Sequence, residues 1–181
     1  KMEKMSNYQP YNLPANTDMY IAPGETIASN NYHLNGNTIY VAGTYEYNQD
    51  WTEGNYTIVV LKGGTLKWKG GNLFQNQNGG KILCYGNFVC NADLDVQNRG
   101  IFKIAGDLNL NGHSFKVNNA SVYIGGKLIC NNFENQANAY TNIQGGIEGV
   151  EDQTIKVDGV VNIDGNCKMK DLYLMGNGQL Y

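Results

Sequence analysis

The chain has 181 residues, of which 16% are charged, and a formal net charge of −3 at pH 7. This acidic balance and the lack of a basic run argue against a nucleic-acid-binding surface, and no apolar run approaches the ~20 residues of a membrane helix. Glycine, with 23 residues, and the still more abundant asparagine dominate the composition. Both are weak helix formers, so the composition is typical of a turn-dense β protein.

The first part of the chain carries all three prolines, Pro10, Pro14 and Pro23. Proline removes a backbone donor and is unsuited to an inner strand. Large apolar residues such as Leu13 nevertheless make this segment too apolar for a free linker. We therefore predict a lead-in or cap over residues 1–23, with one strand around 19–22, followed by a β-helix domain over residues 24–181.

A repeated pattern organises the chain and is clearest from residue 81 to 131. Its central glycines, Gly86, Gly106 and Gly126, lie 20 residues apart. Apolar residues stand two and four positions before and after each glycine, which is the period of a strand with one buried face. A third short apolar segment, such as residues 94–96, completes each unit. The glycine lets the chain turn a corner where a Cβ would crowd the next unit.

Three short strands in about 20 residues, repeated about six times, predict an all-β fold, a single-stranded right-handed parallel β-helix (β-solenoid). One coil cannot bury its own apolar residues, so coils stack at ~4.8 Å and form a continuous core. The i, i+3, i+4 spacing of a helix is absent. A sandwich of antiparallel hairpins is the alternative, but hairpins alternate in direction and would not repeat like residues in register.

The same pattern extends in both directions, to Gly43 and Gly64 before the clear repeats and to Gly159 after them. The Gly64 unit fits only with one extra residue. The inward pairs that this alignment places before the three glycines are Ile39/Val41, Val59/Leu61 and Ile155/Val157.

Two stretches interrupt the register, and insertions in solenoids often carry the binding function. In the first, residues 49–56, a loop that bears Trp51 replaces the third strand of an early coil. The second precedes Gly159, which lies 33 residues after the previous glycine of the series. We interpret this long step as a coil with an insertion at about 134–152, which bears Tyr140. A tolerated surface loop is the alternative in both places.

The repeat also predicts the roles of several polar and thiol side chains. Polar residues five positions after the glycines are expected to hydrogen-bond along the stack at one corner, among them Asn91, Asn111 and Asn131. Cys90 and Cys130 occupy one slot two coils apart, ~10 Å by the strand spacing and beyond the ~7 Å Cα limit of a disulfide. We therefore predict that all four cysteines are free core thiols.

One outward row is unusually apolar for an exposed face and consists of Tyr40, Val60, Leu83 and Tyr123. We expect the N-terminal segment or the long insertion to cover this row. The alternative is a ligand-binding stripe, because aromatic and aliphatic surfaces stack on sugars. The candidate binding residues are the two tyrosines of the row and the two aromatic residues of the interruptions: Tyr40, Tyr123, Trp51 and Tyr140.

The sequence offers few candidate catalytic residues. Enzymes with a β-helix fold that act on polysaccharides need clustered acids, and the outward rows contain no acid pair. The nearest acidic group is Asp93, Asp95 and Asp107, for which solvated corner carboxylates are a simpler interpretation than a cation site. His33 and His113 lie far apart and imply no triad. We predict no catalytic residue, no metal and no cofactor, with a polysaccharide lyase or hydrolase as the alternative.

Two units carry a resemblance: residues 39–48 (Ile-Tyr-Val-Ala-Gly-Thr-Tyr-Glu-Tyr-Asn) and residues 104–112 (Ile-Ala-Gly-Asp-Leu-Asn-Leu-Asn-Gly). They resemble the β-helical segments of bacterial cell-surface adhesins. The region from residue 38 to 181 is similar to the solenoid portion of secreted LruC-domain proteins of the Bacteroidetes type. The resemblance is architectural, and no functional residue carries over with it.

The resemblance implies a non-catalytic extracellular or cell-surface module that is structural or adhesive and contacts glycans or matrix proteins.

No signal sequence is expected within this chain, because no apolar run follows the first charges. The last coil, from residue 169, has no capping helix or polar terminus. An uncapped edge exposes unpaired strand groups, so we expect end-to-end self-association or further domains of a longer chain.

Overall fold

The computed structural model describes residues 1–8, 13–29, 34, 36–48, 55–69, 71–73, 79–149, 154–168 and 170–181. These residues form short parallel strands, with one short 3-10 helix at Met5–Asn7. The strands stack into a β-solenoid of about seven coils. The predicted all-β parallel β-helix is therefore confirmed, with about one coil more than expected.

The strands are numbered β1 to β24 in chain order, and the longest sheet, sheet A, takes ten of them. Within sheet A every neighbouring pair is parallel. Its strands are β1 (Glu3–Lys4), β2 (Asp18–Ile21), β4 (Thr38–Val41), β6 (Thr57–Val60), β9 (Lys81–Cys84), β12 (Ile101–Ile104), β15 (Ser121–Ile124), β18 (Tyr140–Ile143), β21 (Val160–Ile163) and β24 (Gln179–Leu180).

The second side of the solenoid is built from two four-stranded sheets, of which sheet B comes first along the stack and sheet D follows it. Sheet B contains β3 (Thr26–Ser29), β5 (Thr44–Tyr47), β7 (Thr65–Trp68) and β10 (Asn87–Cys90). Sheet D contains β13 (Leu108–Asn109), β16 (Leu128–Cys130), β19 (Ile147–Gly149) and β22 (Cys167–Lys168).

The third side is the six-stranded sheet C. It contains β8 (Gly71–Leu73), β11 (Leu94–Gln97), β14 (Phe115–Asn118), β17 (Phe133–Asn135), β20 (Thr154–Val157) and β23 (Asp171–Leu174). From β6 onward the chain therefore visits sheet A, then sheet B or D, then sheet C in each coil. The two earlier coils, β2–β3 and β4–β5, have no sheet C strand among the described residues. In the central coils, β9, β12 and β15 begin at Lys81, Ile101 and Ser121, which gives the predicted 20-residue step.

The core lies inside the three sheets and is formed by alternate residues of each strand. Phe102, Phe115 and Phe133 are fully buried there. The ring centroids of Phe115 and Phe133 lie 5.7 Å apart with the rings nearly parallel, so like residues of successive coils stack. In an earlier part of the stack Tyr47 and Trp68 stack in the same way at 4.3 Å. The period-two pattern therefore predicted correctly that inward side chains repeat from coil to coil.

The predicted insertion at about 134–152 is wrong for residues 134–149, the part of that stretch that the structure describes. This stretch forms β17, β18 and β19, and each pairs in register with the strands of the coils before and after it. The error arose from Gly159, which has a φ of +93° and turns the corner from sheet C to sheet A. Glycines of the predicted series turn the corner that follows sheet A, and there the successor of Gly126 is the pair Gly145–Gly146.

Two inward pairs are corrected for related reasons. Before Gly64 the buried residues are Ile58 and Val60, whereas Leu61 is 38% exposed. The extra residue therefore belongs to the turn after β6 and not to the strand. Ile155 and Val157 are buried as predicted, but they belong to sheet C and not to sheet A.

Close contacts at the corners explain the glycines. A Cβ on Gly43 would collide with the backbone oxygens of Ala22 and Glu25 in the preceding coil, and a Cβ on Gly86 would collide with that of Leu61. Side chains also link coils at corners, since Asn111 Nδ2 donates to Asn91 Oδ1 at 2.7 Å. The predicted ladder of asparagines is thus present for this pair.

All four cysteines are free, as predicted. Cys84, Cys90 and Cys130 are buried, and burial raises the pKa of the Cys84 thiol to about 11. Cys167 is exposed, which corrects its prediction as a core thiol.

The two ends of the stack differ. At the start, β1 and β2 extend sheet A into the predicted lead-in, and Met5 and Leu13 are buried against the core. At the other end β22, β23 and β24 each pair with one described strand, and apolar side chains are exposed there: Leu172, Leu174 and Met175 are 42%, 59% and 49% exposed. The described residues contain no helix long and apolar enough to cross a membrane.

Candidate binding face

The outward side of sheet A, called face A from here on, carries the apolar row that the sequence predicts. Strand pairing sets the row as Tyr20, Tyr40, Val59, Leu83, Lys103, Tyr123, Asn142 and Asn162. Val59 replaces the predicted Val60, whose side chain points into the core and is fully buried. The row is therefore apolar at its start and becomes polar and aromatic after Leu83.

The predicted covers of this row fail in the described part of the chain. The stretch expected to be an insertion is a regular coil and adds Asn142 to the row instead of lying over it. At the N-terminal end, Lys4 pairs with Tyr20 in the neighbouring strand, so residues 3–4 lengthen the sheet. Tyr123 is 40% exposed. Part of face A is thus accessible to a ligand.

Two of the predicted binding residues come together on face A. Tyr140 lies at the start of β18 and not in a loop, and its ring centroid is 5.8 Å from that of Tyr123 on β15. The two rings are tilted by 50°, which leaves an angled aromatic surface. Both side chains project from paired parallel strands, so the sheet fixes their separation.

Amide groups hold the Tyr140 hydroxyl in place. Asn162 Nδ2, from the next coil, donates to Tyr140 Oη at 2.9 Å, and Asn142 Nδ2 lies 3.4 Å from the same oxygen. These bonds occupy the hydroxyl as an acceptor and leave its proton available to donate. The amide oxygen of each asparagine is a hydrogen-bond acceptor that these two bonds do not use.

A shallow groove runs beside Tyr123 along the stack. Its polar lining comes from Lys103, Asn142 and Gln144, and its floor includes the small residues Ala105 and Gly125. Donors, acceptors, one positive charge and an aromatic ring thus border a single depression. These groups bind polar ligands by hydrogen bonds and stacking and supply no acid–base pair for catalysis.

The other two predicted binding residues do not join this cluster. Tyr40 lies on the same row, but four strand steps separate β4 from β15, which is ~19 Å at the usual strand spacing. Trp51 lies outside the described residues. The candidate site is therefore the cluster of Tyr123, Tyr140, Asn142 and Asn162 with the adjacent groove.

The outward side of sheet C, called face C, has a different electrostatic character. Strand pairing sets side by side four residues of alternating charge: Asp95, Lys116, Glu134 and Lys156. Burial raises the pKa of the Asp95 carboxyl, and the charge of Lys116 partly offsets that rise. Opposite charges on neighbouring strands attract, so this row is a structural ladder.

Two members of the acidic group predicted from the sequence, Asp93 and Asp107, bind backbone amides of the next coil. Asp93 Oδ1 accepts a hydrogen bond from the Ser114 backbone N–H at 2.8 Å, and Asp107 Oδ1 accepts one from the Lys127 backbone N–H at 2.7 Å. Both carboxylates thus serve corners between coils. No cluster of three or more metal-ligating side chains occurs among the described residues.

Sequence reasoning found Tyr40 and Tyr123 on one row but missed the neighbours of Tyr140. A signal was present, because the 20-residue step counted onward from Tyr123 reaches Asn142 within one position, and one further step reaches Asn162. Tyr140 then falls two residues before Asn142 and therefore on the same face. The misassigned corner glycine hid this alignment.

Comparisons of the chain with protein-family models, with curated proteins and with solved structures find no match.

Proposed function

We propose that this chain is a non-catalytic glycan-binding module of an extracellular or cell-surface protein, with face A as its binding surface. The observation that carries this proposal is the Tyr123–Tyr140 pair, with ring centroids 5.8 Å apart and the Tyr140 hydroxyl held by Asn162 at 2.9 Å. The resemblance to adhesin β-helices supports the cell-surface setting and the structural or adhesive role.

The chemistry of the cluster fits sugars. The apolar faces of sugar rings stack on exposed aromatic rings, and their hydroxyls pair with amide and phenol groups at the edges of those rings. Asn142, Gln144 and the Tyr140 hydroxyl offer both donors and acceptors next to the Tyr123 ring. Such a mixed apolar and polar surface is typical of ligand sites.

The fold makes the site rigid before a ligand arrives. Tyr123 and Tyr140 project from strands that are hydrogen-bonded on both edges. Little conformational entropy is therefore lost on binding, which improves affinity at a small site. A rod of stacked coils would display this surface at a fixed position, as an adhesive module requires.

A glycan array followed by calorimetric titration of the hits tests the proposal. We expect Tyr123→Ala and Tyr140→Ala to weaken binding on the order of tenfold, because each removes a central aromatic anchor. Tyr173→Ala is the matched control, since Tyr173 is a 49% exposed strand residue on face C. Trp51→Ala tests the remaining loop candidate. Failure to bind any glycan, matrix protein or cell would leave only a structural role.

A polysaccharide-active enzyme remains the competing function, and it makes a different prediction. It requires a calcium-dependent rise in unsaturated or reducing-end product on acidic polysaccharides. The strands of sheet A from β4 to β21 carry no Asp or Glu, which supports binding without cleavage. We expect a flat product assay, and sustained product formation that is lost with Tyr123→Ala would replace the binding module by an enzyme.

We also propose that the last coil is covered, either by end-to-end self-association of this chain or by further domains of a longer chain. The exposed apolar residues of β23 belong to the inward row that earlier coils bury, and an open strand edge can pair with a second copy. Sedimentation velocity measures this association. Leu172→Lys with Leu174→Lys should give a monomer, and an unchanged sedimentation coefficient between wild type and variant would contradict pairing at this end.

A further inference from the structure

The lysines of the strands follow a rule on three of the four sheets, where each has an acidic residue at the paired position of a neighbouring strand. Lys67 pairs with Glu46, and their charged atoms lie 3.6 Å apart. The remaining examples are Lys116 between Asp95 and Glu134, Lys156 beside Glu134, and Lys168 beside Glu148. Charge is thus neutralised within the coil stack on sheets B, C and D.

Three lysines of sheet A depart from this rule. Lys4 lies beside Tyr20 and forms an ion pair at 3.5 Å with Glu25, which is outside the strands. Lys81 and Lys103 are the other two, and both are exposed on face A. The strand neighbours of Lys81 are Thr57 and Ile101. Those of Lys103 are Leu83 and Tyr123. No Asp or Glu occurs in the sheet A strands from β4 to β21, so the described strands of this face place no acidic side chain beside these two positive charges.

The two lysines form a compact positive patch. They lie on the adjacent strands β9 and β12, both on the outward side and two positions apart in register, which separates their Cα atoms by about 8 Å. Lys103 also lines the groove beside Tyr123. Arg99, which is exposed, lies two residues before β12 at the corner that leads into sheet A. The positive patch and the aromatic cluster are therefore continuous.

We infer that the ligand of face A is an acidic polysaccharide whose uronate carboxylates pair with Lys81 and Lys103 while its sugar rings contact Tyr123 and Tyr140. This inference rests on the proposed glycan-binding function and specifies its ligand class. Charge complementarity carries it, because the stack neutralises strand lysines elsewhere and leaves these two for an external anion. A linear polymer fits better than a single sugar, since the patch and the aromatic pair extend along several coils.

Both charges are exposed, so their contribution is moderate and sensitive to salt. An exposed ion pair changes affinity by up to roughly fivefold, and two pairs by on the order of tenfold or more. Raising the ionic strength screens exposed charges, with a Debye length of about 10 Å at 0.1 M and about 3 Å at 1 M. The uronate-specific part of the affinity should therefore fall with added salt, while the aromatic part should persist.

The test titrates the full chain with oligogalacturonate and with a neutral galactose oligomer of the same length. We expect the uronate oligomer to bind on the order of tenfold more tightly. The double variant Lys81→Gln with Lys103→Gln should lose this excess and bind both oligomers alike. Lys156→Gln is the matched control, because this lysine is exposed on face C beside Glu134. Poly-glutamate serves as a polyanion without sugar rings.

The outcomes separate this inference from the proposed function. Equal affinity for the two oligomers, with loss of both in Tyr123→Ala, would overturn the acidic ligand class and leave glycan binding in place. Equal weakening by Lys156→Gln would overturn the location, and poly-glutamate binding as tight as that of the uronate would overturn the carbohydrate assignment. If neither oligomer binds, the inference is overturned, and the glycan array alone decides the proposed function.

Discussion

Face A and face C lie over the same core but differ in the side chains that neighbour their lysines. On face C, Lys116 stands between Asp95 and Glu134, and the row continues with Lys156. On face A, Lys103 stands between Leu83 and Tyr123, and the row continues with polar amides. The charges of face C are therefore satisfied by neighbouring coils, whereas those of face A are open to a ligand.

The interior beneath the two faces does not share this difference. Phe102 under sheet A and Phe115 under sheet C are both fully buried. Since inward residues provide the stacking energy, outward residues can vary between faces without a large cost in stability. The outward rows are therefore the place where function and structural support can diverge.

The largest expected effect is on stability, and it distinguishes an inward-facing residue of a sheet from an outward-facing one. Phe115→Ala should lower the free energy of unfolding by about 3 to 5 kcal/mol, because it removes a buried ring that stacks on Phe133. Tyr123→Ala on face A should cost less than about 1 kcal/mol, since it removes a partly exposed ring. Urea denaturation measures both. Similar losses would show that Tyr123 is a structural residue and not an outward residue free to bind a ligand.

The next largest effect on stability is expected at Asn135, a buried polar residue that links sheet C to sheet A. Asn135 is fully buried, its Nδ2 donates to Asp158 O at 3.0 Å and to Ala139 O at 3.2 Å, and its Oδ1 accepts from Thr141 Oγ1 at 2.7 Å. Asn135→Ala should cost about 3 kcal/mol, because buried partners lose their hydrogen bonds. The exposed Asn118 on β14 offers Asn118→Ala as the control. Equal melting temperatures of the two variants would rule out the link.

Charge reversal tests the two faces directly. Glu134→Lys places three lysines in a row on face C and should cost about 1 kcal/mol, because like charges on paired strands repel. Lys103→Glu on face A meets no charged strand neighbour and should change stability by less than about 0.5 kcal/mol. Thermal unfolding at low salt compares them. A larger loss for Lys103→Glu would mean that face A contains a hidden acid partner.

The smallest effect concerns the pH dependence of face C. Burial raises the pKa of Asp95 in the folded chain, so the folded state holds this proton more tightly than the unfolded state. Its contribution to stability is thus present below the ordinary carboxyl pKa and is lost as the pH rises through the raised value. Asp95→Asn should be more stable than wild type at pH 7, and this difference should shrink toward pH 3. Wild type more stable than the variant at pH 7 would contradict the direction.

The 20-residue repeat was sufficient to predict the solenoid and most inward residues, because stacking forces like side chains into like positions. It failed at Gly159, since tight corners after sheet A and after sheet C both favour glycine. A glycine therefore marks a corner without saying which one. Only strand pairing could assign Ile155 to sheet C.

Only part of the candidate site could be predicted, because the repeat gives the outward row but not the strand pairing. Tyr40 and Tyr123 share a row that the repeat reveals, although Tyr40 lies too far away to join the cluster. The contact of Tyr140 with Tyr123 depends on the correct coil length between β15 and β18. The lack of an acidic strand neighbour at Lys103 depends on the residues that the two adjacent strands place beside it, which a single strand cannot show.

The most direct test of face A as the ligand surface is a 15N–1H correlation spectrum of the labelled chain titrated with oligogalacturonate. We predict saturable shifts of the amides of β9, β12, β15, β18 and β21, strongest around Lys103, Tyr123 and Asn142, with the amides of β11, β14 and β17 unchanged. Shifts confined to face C, or equal on all sides of the solenoid, would contradict face A as the ligand surface.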